Sequence, residues 1–255
     1  MGVVKKILLF VSTLLFLFMT VIFFFTKHKS DFIKESVTKN INDVISADCY
    51  FEDIDLYAFK DLTNISISIK NICIKKESNF ENDTLFFAKE CKFYLPLIKL
   101  LTNSIYFSTI EINDGIVNVY KSDQFTNFNI FKSSGPNVDV NKNIFNRIKI
   151  FNSDFKYSEL QKNNKFFFNV KDLDITSKAN NNFHLYGNLY CDDLIFSKNH
   201  LNNKQLYLNG NVNIKKNQIA YKFDELKIDD LESESISGNI NDWGSFNIEF
   251  DFKNQ

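Results

Sequence analysis

The chain reads as mainly β: an N-terminal transmembrane helix and a short amphipathic helix, followed by a long, twisted, bulged antiparallel β-sheet that forms an open groove. Three observations predict this. Apolar residues recur at every second position over most of the sequence; helical spacing is confined to the N-terminal end; and 7 Gly and 2 Pro stand against 29 Phe in 255 residues, which argues for long strands with few tight turns. A hydrophobic fraction of 44% with 24% charged residues excludes both disorder and a polytopic membrane protein.

The first element is the run from Ile7 to Phe25, interrupted only by Ser12, Thr13 and Thr20, whose hydroxyls can bond back into a helix. At ~1.5 Å per residue it spans the ~30 Å hydrocarbon core of a bilayer. No small-residue cleavage site follows it, so it reads as a retained anchor, with residues 1–26 forming a cytoplasmic tip and the membrane span. Lys5 and Lys6 on one side nearly balance Lys27 and Lys29 on the other. The expected orientation exports the bulk of the chain.

Between Ser30 and Ser46, Phe32, Ile33, Val37, Ile41, Val44 and Ile45 share one helical face, with Lys34, Glu35, Lys39, Asn40 and Asp43 on the other. Beyond it the period becomes two. Ile65, Ile67 and Ile69 alternate with Ser66, Ser68 and Lys70. Leu206, Leu208, Val212 and Ile214 alternate with polar neighbours, as do Phe246, Ile248, Phe250 and Phe252. Such strands are apolar on one face and polar on the other.

Several strands change phase midway: Ile69 to Ile72, Phe107 to Ile110, and Val170 to Leu173. Each shift predicts a bulge that bends the strand while the same face stays apolar. Asp114-Gly115 is expected as a hairpin turn, with further turns at Asn180 to Asn182, Asn217-Gln218 and Asn241 to Gly244. A short helix is expected over Leu97 to Leu101. Residues 133–143, with Gly135 and Pro136, form the expected linker between a helix-and-sheet block at 27–132 and a second sheet block at 144–255.

The eleven apolar residues of the three clean strands (Ile65, Ile67, Ile69, Leu206, Leu208, Val212, Ile214, Phe246, Ile248, Phe250 and Phe252) carry roughly 15–30 kcal/mol of burial at ~1.5–3 kcal/mol each. That equals or exceeds the ~5–15 kcal/mol net stability of a domain. The face must be covered by a second sheet, by closure into a barrel, or by an apolar ligand lying along a curved sheet.

Chemistry is sparse. The sequence has no GxSxG, HExxH, P-loop or GxGxxG, so no catalytic residues, metal or cofactor are expected and the chain is not read as an enzyme. His28, His184 and His200 lack spaced partners, and the pairs Asp53/Asp55, Asp192/Asp193 and Asp229/Asp230 read as solvated turns. Cys49, Cys73, Cys91 and Cys191 read as packing residues, with a Cys49–Cys73 disulfide left open. A net charge of −1 gives no basic face for nucleic acid.

CYFEDIDLYAF (Cys49 to Phe59), NISISIKNICIKK (Asn64 to Lys76), LFFAKECKFYLPLIKLLTNSIYFSTIEINDGIVNVYK (Leu85 to Lys121) and the FTNFNIFK after them follow an anchor and an amphipathic helix. In this order they resemble the opening of the AsmA family, where a strand bearing an alanine (here Ala88) leads to a leucine-rich short helix and a strand pair (here Ile105 to Gly115). The C-terminal NQIAYKFDELKIDDLESESISGNINDWGSFNIEFDFKNQ is similar to the family's repeated strands, with Gly238 in place. The resemblance implies a bridge-like lipid transfer protein of the bacterial inner membrane, single-pass, its β-groove in the periplasm. Its partners would be phospholipid or another acyl-chain ligand, the membrane and other envelope proteins, and its role phospholipid movement towards the outer membrane or support of outer-membrane assembly. Family members are usually much longer; a dozen or so strands at ~4.8 Å make a groove of roughly 60 Å. Two alternatives stay open: an LptC-like component passing lipopolysaccharide, and a tethered structural module that binds proteins by strand addition.

Overall fold

The computed structural model describes residues 45–58, 64–76, 84–96, 107–123, 125–128, 130, 145–161, 163–179, 181–196, 199–215, 218–229, 231–233, 235–241 and 245–251. The anchor, all but the last residues of the amphipathic segment, Leu97 to Leu101, residues 133–143 and Phe252 lie outside them. Every element among the described residues is a strand.

β1 (Asp48–Tyr50) and β2 (Asp53–Ala58) both pair with β3 (Asn64–Lys75) at one edge. The sheet continues in chain order through β4 (Thr84–Pro96), β5 (Phe107–Lys121), β6 (Phe145–Glu159), β7 (Asn164–Lys178), β8 (Asn182–Phe196), β9 (Asn199–Lys215) and β10 (Gln218–Ile228). β11 (Leu231–Ser233) and β12 (Ser235–Asn241) share β10, and β13 (Ser245–Asp251) follows β12. All thirteen belong to one open sheet. Packing runs along that sheet, each strand against its ladder neighbours, and the edge strands do not meet to close a barrel.

The sheet is mixed, which corrects the expectation of a wholly antiparallel one. β5 and β6 run parallel, Ile110 opposite Ile148 and Ile112 opposite Ile150. A parallel pair needs a crossover of a dozen or more residues, and the stretch from 122 to 144 provides it. Its first part turns back beside β5: Thr126 bridges Lys121, and the Tyr120 amide donates to Asn127 Oδ1 at 2.8 Å. The pairing places the two expected sheet blocks in one sheet.

The hairpin expected at Asp114-Gly115 is also absent, since β5 runs through both residues. Asp114 takes a left-handed φ of 51° in mid-strand, so the residue type that signals a tight turn serves a strand irregularity instead. β3 does the same at Asn71, φ 49°, where the sequence shifts phase, and β7 shifts register between Val170 and Asp172 as expected. The other turns fall where the sequence places them: the ladders close at Lys178 with Asn182, Lys215 with Gln218, and Asn241 with Ser245.

Register carries the apolar alternation from strand to strand. Leu56, Ile67 and Phe93 are successive partners; beyond them Ile110 meets Ile148, which meets Ile175, which meets Leu185. One face of the sheet is therefore apolar across its width. Burial is deepest at the first corner, where Ile54, Ile69, Ile72, Ala88 and Cys91 pack with Phe51, Phe86, Phe93 and Ile112. Beside it Ile45, Ala47, Leu85 and Ile130 form a second cluster, into which the chain is pinned by the Ser46 amide donating to the Ile130 carbonyl at 2.6 Å.

Ala88 is fully buried at 0% exposure, so replacing it with Leu inserts methylenes where no space exists. Ala88→Leu is expected to cost about 1–3 kcal/mol, read as a lower urea midpoint at unchanged slope; an unaltered midpoint would show the corner to be loosely packed.

Candidate functional site

The predicted lining residues lie on strands far apart in the sheet, and register joins them. Ile65, Ile67 and Ile69 stand opposite Leu95, Phe93 and Cys91 on β4 and opposite Ala58, Leu56 and Ile54 on β2. On β9, Leu206, Leu208 and Val212 stand opposite Leu189, Gly187 and Phe183 of β8; with Ile214 they meet Ile228, Leu226, Tyr221 and Ile219 of β10. Phe246, Ile248 and Phe250 of β13 pair with Ile240, Gly238 and Ile236.

Between these groups lie apolar-face residues that the sequence reading did not select: Ile110 and Ile112, Ile148 and Ile150, Leu173 and Ile175. Their alternation is as regular but shorter, because each run ends at a phase shift. Counting across the shifts would have found them. Most of this face is half-buried and Ile214 is 41% exposed, in contrast to Ile69 at 4% in the corner. Rings extend the surface: Tyr157 stacks on Phe166 at 5.4 Å, and Phe107 and Phe145 at their strand ends pack against Phe93 and Phe183 at 5.4 and 6.0 Å.

The opposite face is a lattice of paired charges. Lys70 bridges Asp55 at 2.6 Å; Glu90 accepts from Ser68 at 2.9 Å and from Lys92 at 2.6 Å; Tyr94 donates to Glu111 at 2.9 Å. Arg147 Nε lies 2.8 Å from both carboxylate oxygens of Asp174, and the Arg147 Nη2 contact completes a two-pronged pair. Lys204 and the Gln205 amide hold Asp229, and His200 lies 2.7 Å from Asp193. Each paired carboxylate of the lattice is occupied by a neighbour across or along the ladder.

Titration follows from these contacts. The hydrogen bond from Arg147 holds Asp174 below the usual carboxylate range. At Glu90 burial opposes the charge, but the hydrogen bonds from Lys92 and Ser68 outweigh it and the group is also lowered. Burial pushes the Cys91 thiol up to about 12 and Cys191 to about 11, so both stay protonated and unreactive at neutral pH. All four cysteines are free thiols, and the disulfide left open between Cys49 and Cys73 is not formed. Among the described residues no three His, Cys, Asp or Glu side chains converge as metal ligands would.

Among the described residues the arrangement is a broad apolar surface backed by a face of paired charges. No protein-family model matches the chain, and no curated protein matches it in sequence.

Asp174 and Glu90 have folded-state values below their unfolded ones, so their contribution to stability is complete above the unfolded values and is lost as pH falls through the folded ones. The urea midpoint is expected to drop as pH is taken from about 4 downward, and Asp174→Asn to flatten that drop. An identical pH profile for the variant would show that the Arg147 pair carries none of it.

Proposed function

We propose that this is a membrane-anchored β-groove protein that shields phospholipid acyl chains and moves them between membranes of the bacterial envelope. The observation that carries this reading is the continuous apolar face, over which no second layer packs among the described residues. Leaving such a face against water is costly at ~25 cal/mol per Å²; an acyl chain removes that cost without asking for any polar partner. The polar face supports the same reading, since its charges neutralise one another and keep the outer surface soluble. The apolar run Ile7 to Phe25 would tether the sheet to the inner membrane with the groove in the periplasm, as the resemblance to the AsmA family implies, and transport towards the outer membrane or support of its assembly is the corresponding role.

A second reading has its own observation. Among the described residues β13 is paired only with β12, so that edge of the sheet could take a strand from another protein. On that reading the chain is an assembly module whose apolar face is covered by protein.

One experiment separates them. The full chain extracted in mild detergent is expected to carry phospholipid detectable by mass spectrometry, with Ile67→Asp and Leu208→Asp each lowering the lipid bound per protein at least several-fold, because a carboxylate on this face disfavours an acyl neighbour. A stable monomer free of lipid would overturn the transfer reading. Lipid retained in full by both variants would move the binding surface elsewhere.

A further inference from the structure

Three of the left-handed residues of this sheet and one of its register slips fall on one line. Asn71, Asp114 and Asn152 have φ of 49°, 51° and 46° in the middle of β3, β5 and β6. On β4 between the first two, the ladder pairs Glu90 with Lys70 and Ala88 with Ile72, so Lys89 sits opposite Asn71; on the other side Lys89 faces Asp114, its ammonium 3.8 Å from that carboxylate. Asn152 in turn faces Lys171 of β7, the residue at which the β7–β8 register slips. Five neighbouring strands, β3 to β7, thus meet at one level running across the strand direction, with left-handed residues on three of them and a register slip on a fourth. Further along the sheet the β9–β10 ladder slips at Asp224 beside Gly210, off this level, since Gly210 faces Leu185 of β8.

The two sides of the line differ in size and exposure. Asn71, Lys89, Asp114, Asn152 and Lys171 are all exposed. On the apolar side, residues beside the line are small and buried: Ala88 at 0%, Ser153 at 5%, Val170 at 5%, and Gly115; Gly187 and Gly210, farther along β8 and β9, are buried as well. A Cβ on Gly187 would lie 2.3 Å from the Asp172 carbonyl oxygen, and one on Gly210 2.4 Å from Phe223 Cα. With no second layer above them among the described residues, these atoms are crowded by the sheet itself. Crowding on one side and free projection on the other is what a bend produces, with the crowded side inside.

We infer that this row is a fold line, set by backbone conformation, which creases the sheet towards its apolar face and makes that face the floor and walls of a trough perpendicular to the strands. A bulge alone bends one strand; aligned over neighbouring strands, the bends add to a single axis. Asn and Asp are the residues besides Gly that take the left-handed conformation at low cost, and here they do so with side chains that can project outward, which Gly cannot. The inference is independent of what occupies the trough.

The test exchanges the backbone preference and leaves the packing alone. Asn71, Asp114 and Asn152 are each replaced by Gly, which accepts the left-handed state, and by Val, which resists it, with Asn202→Val at an exposed position without positive φ as the control. In the full chain in mild detergent, each Val is expected to lower the melting midpoint by about 2–8 °C, each Gly variant to melt above its Val counterpart, and the control to stay near wild type. Folded Val variants are also expected to bind more of an apolar-surface dye, as the crease opens. If a Val variant does not fold while its Gly counterpart does, the backbone requirement is upheld. Val tolerated as well as Gly at all three positions, or a control that falls as far as they do, would overturn the fold line.

Discussion

The backbone ladder between neighbouring strands is the interaction on which everything else in this sheet depends. A sandwich or a barrel has a second layer to share the load; here each strand from β3 to β12 is held by the strands on either side of it, and the side chains that would form an interior are half-exposed over most of the face. Well-buried apolar packing gathers at one corner, where β1 and β2 pair with β3 and Ile130 packs with Ile45, Ala47 and Leu85. The rest of the sheet has ladders of up to fifteen residues per strand or slightly more in place of a deep core.

That division explains the chemistry of the two faces. Cross-strand ion pairs such as Arg147 with Asp174 contribute modestly to stability at the surface, but they set register along the polar face and use up charge that would otherwise face a neighbouring molecule. No layer covers the apolar face among the described residues, and the charges stand on the other face. Proposed lipid shielding needs this asymmetry and nothing more reactive.

The strands, the apolar face and three turns were legible in the sequence because period-two alternation and Asn-rich junctions are local signals. Pairing direction was not: Ile110 and Ile112 alternate identically whether Ile148 and Ile150 approach parallel or antiparallel, and only the long crossover after Lys121 decides it. Asp114-Gly115 was misread for a related reason, since a left-handed Asp serves a hairpin and a mid-strand irregularity equally well. The abundance of Asn hid a structural use. All seven described non-glycine residues with positive φ are Asn or Asp, and no described Gly has positive φ, so a chain poor in glycine obtained its turns and bends from asparagine. The face residues named in advance in β3 and β9 stood out because their runs, Ile65 to Ile69 and Leu206 to Ile214, are the longer ones; the equivalents in β5 to β7 are cut shorter by phase shifts.

The parallel joint between β5 and β6 has a consequence for how such a chain comes apart. Either side of it, successive strands are antiparallel neighbours, and each side is a linear array in which a strand interacts with the next and little else. The stability of an array of this kind is close to a sum of nearest-neighbour terms, and order spreads along it one strand at a time. A parallel ladder is slightly weaker per residue than an antiparallel one, and this one closes through the longest connection among the described ladders. But the joint is twelve partners long against eight between β4 and β5, so length offsets the weaker parallel pairing, and the two arrays, linked by the chain that runs from Lys121 to Phe145, do not part there ahead of their antiparallel ladders.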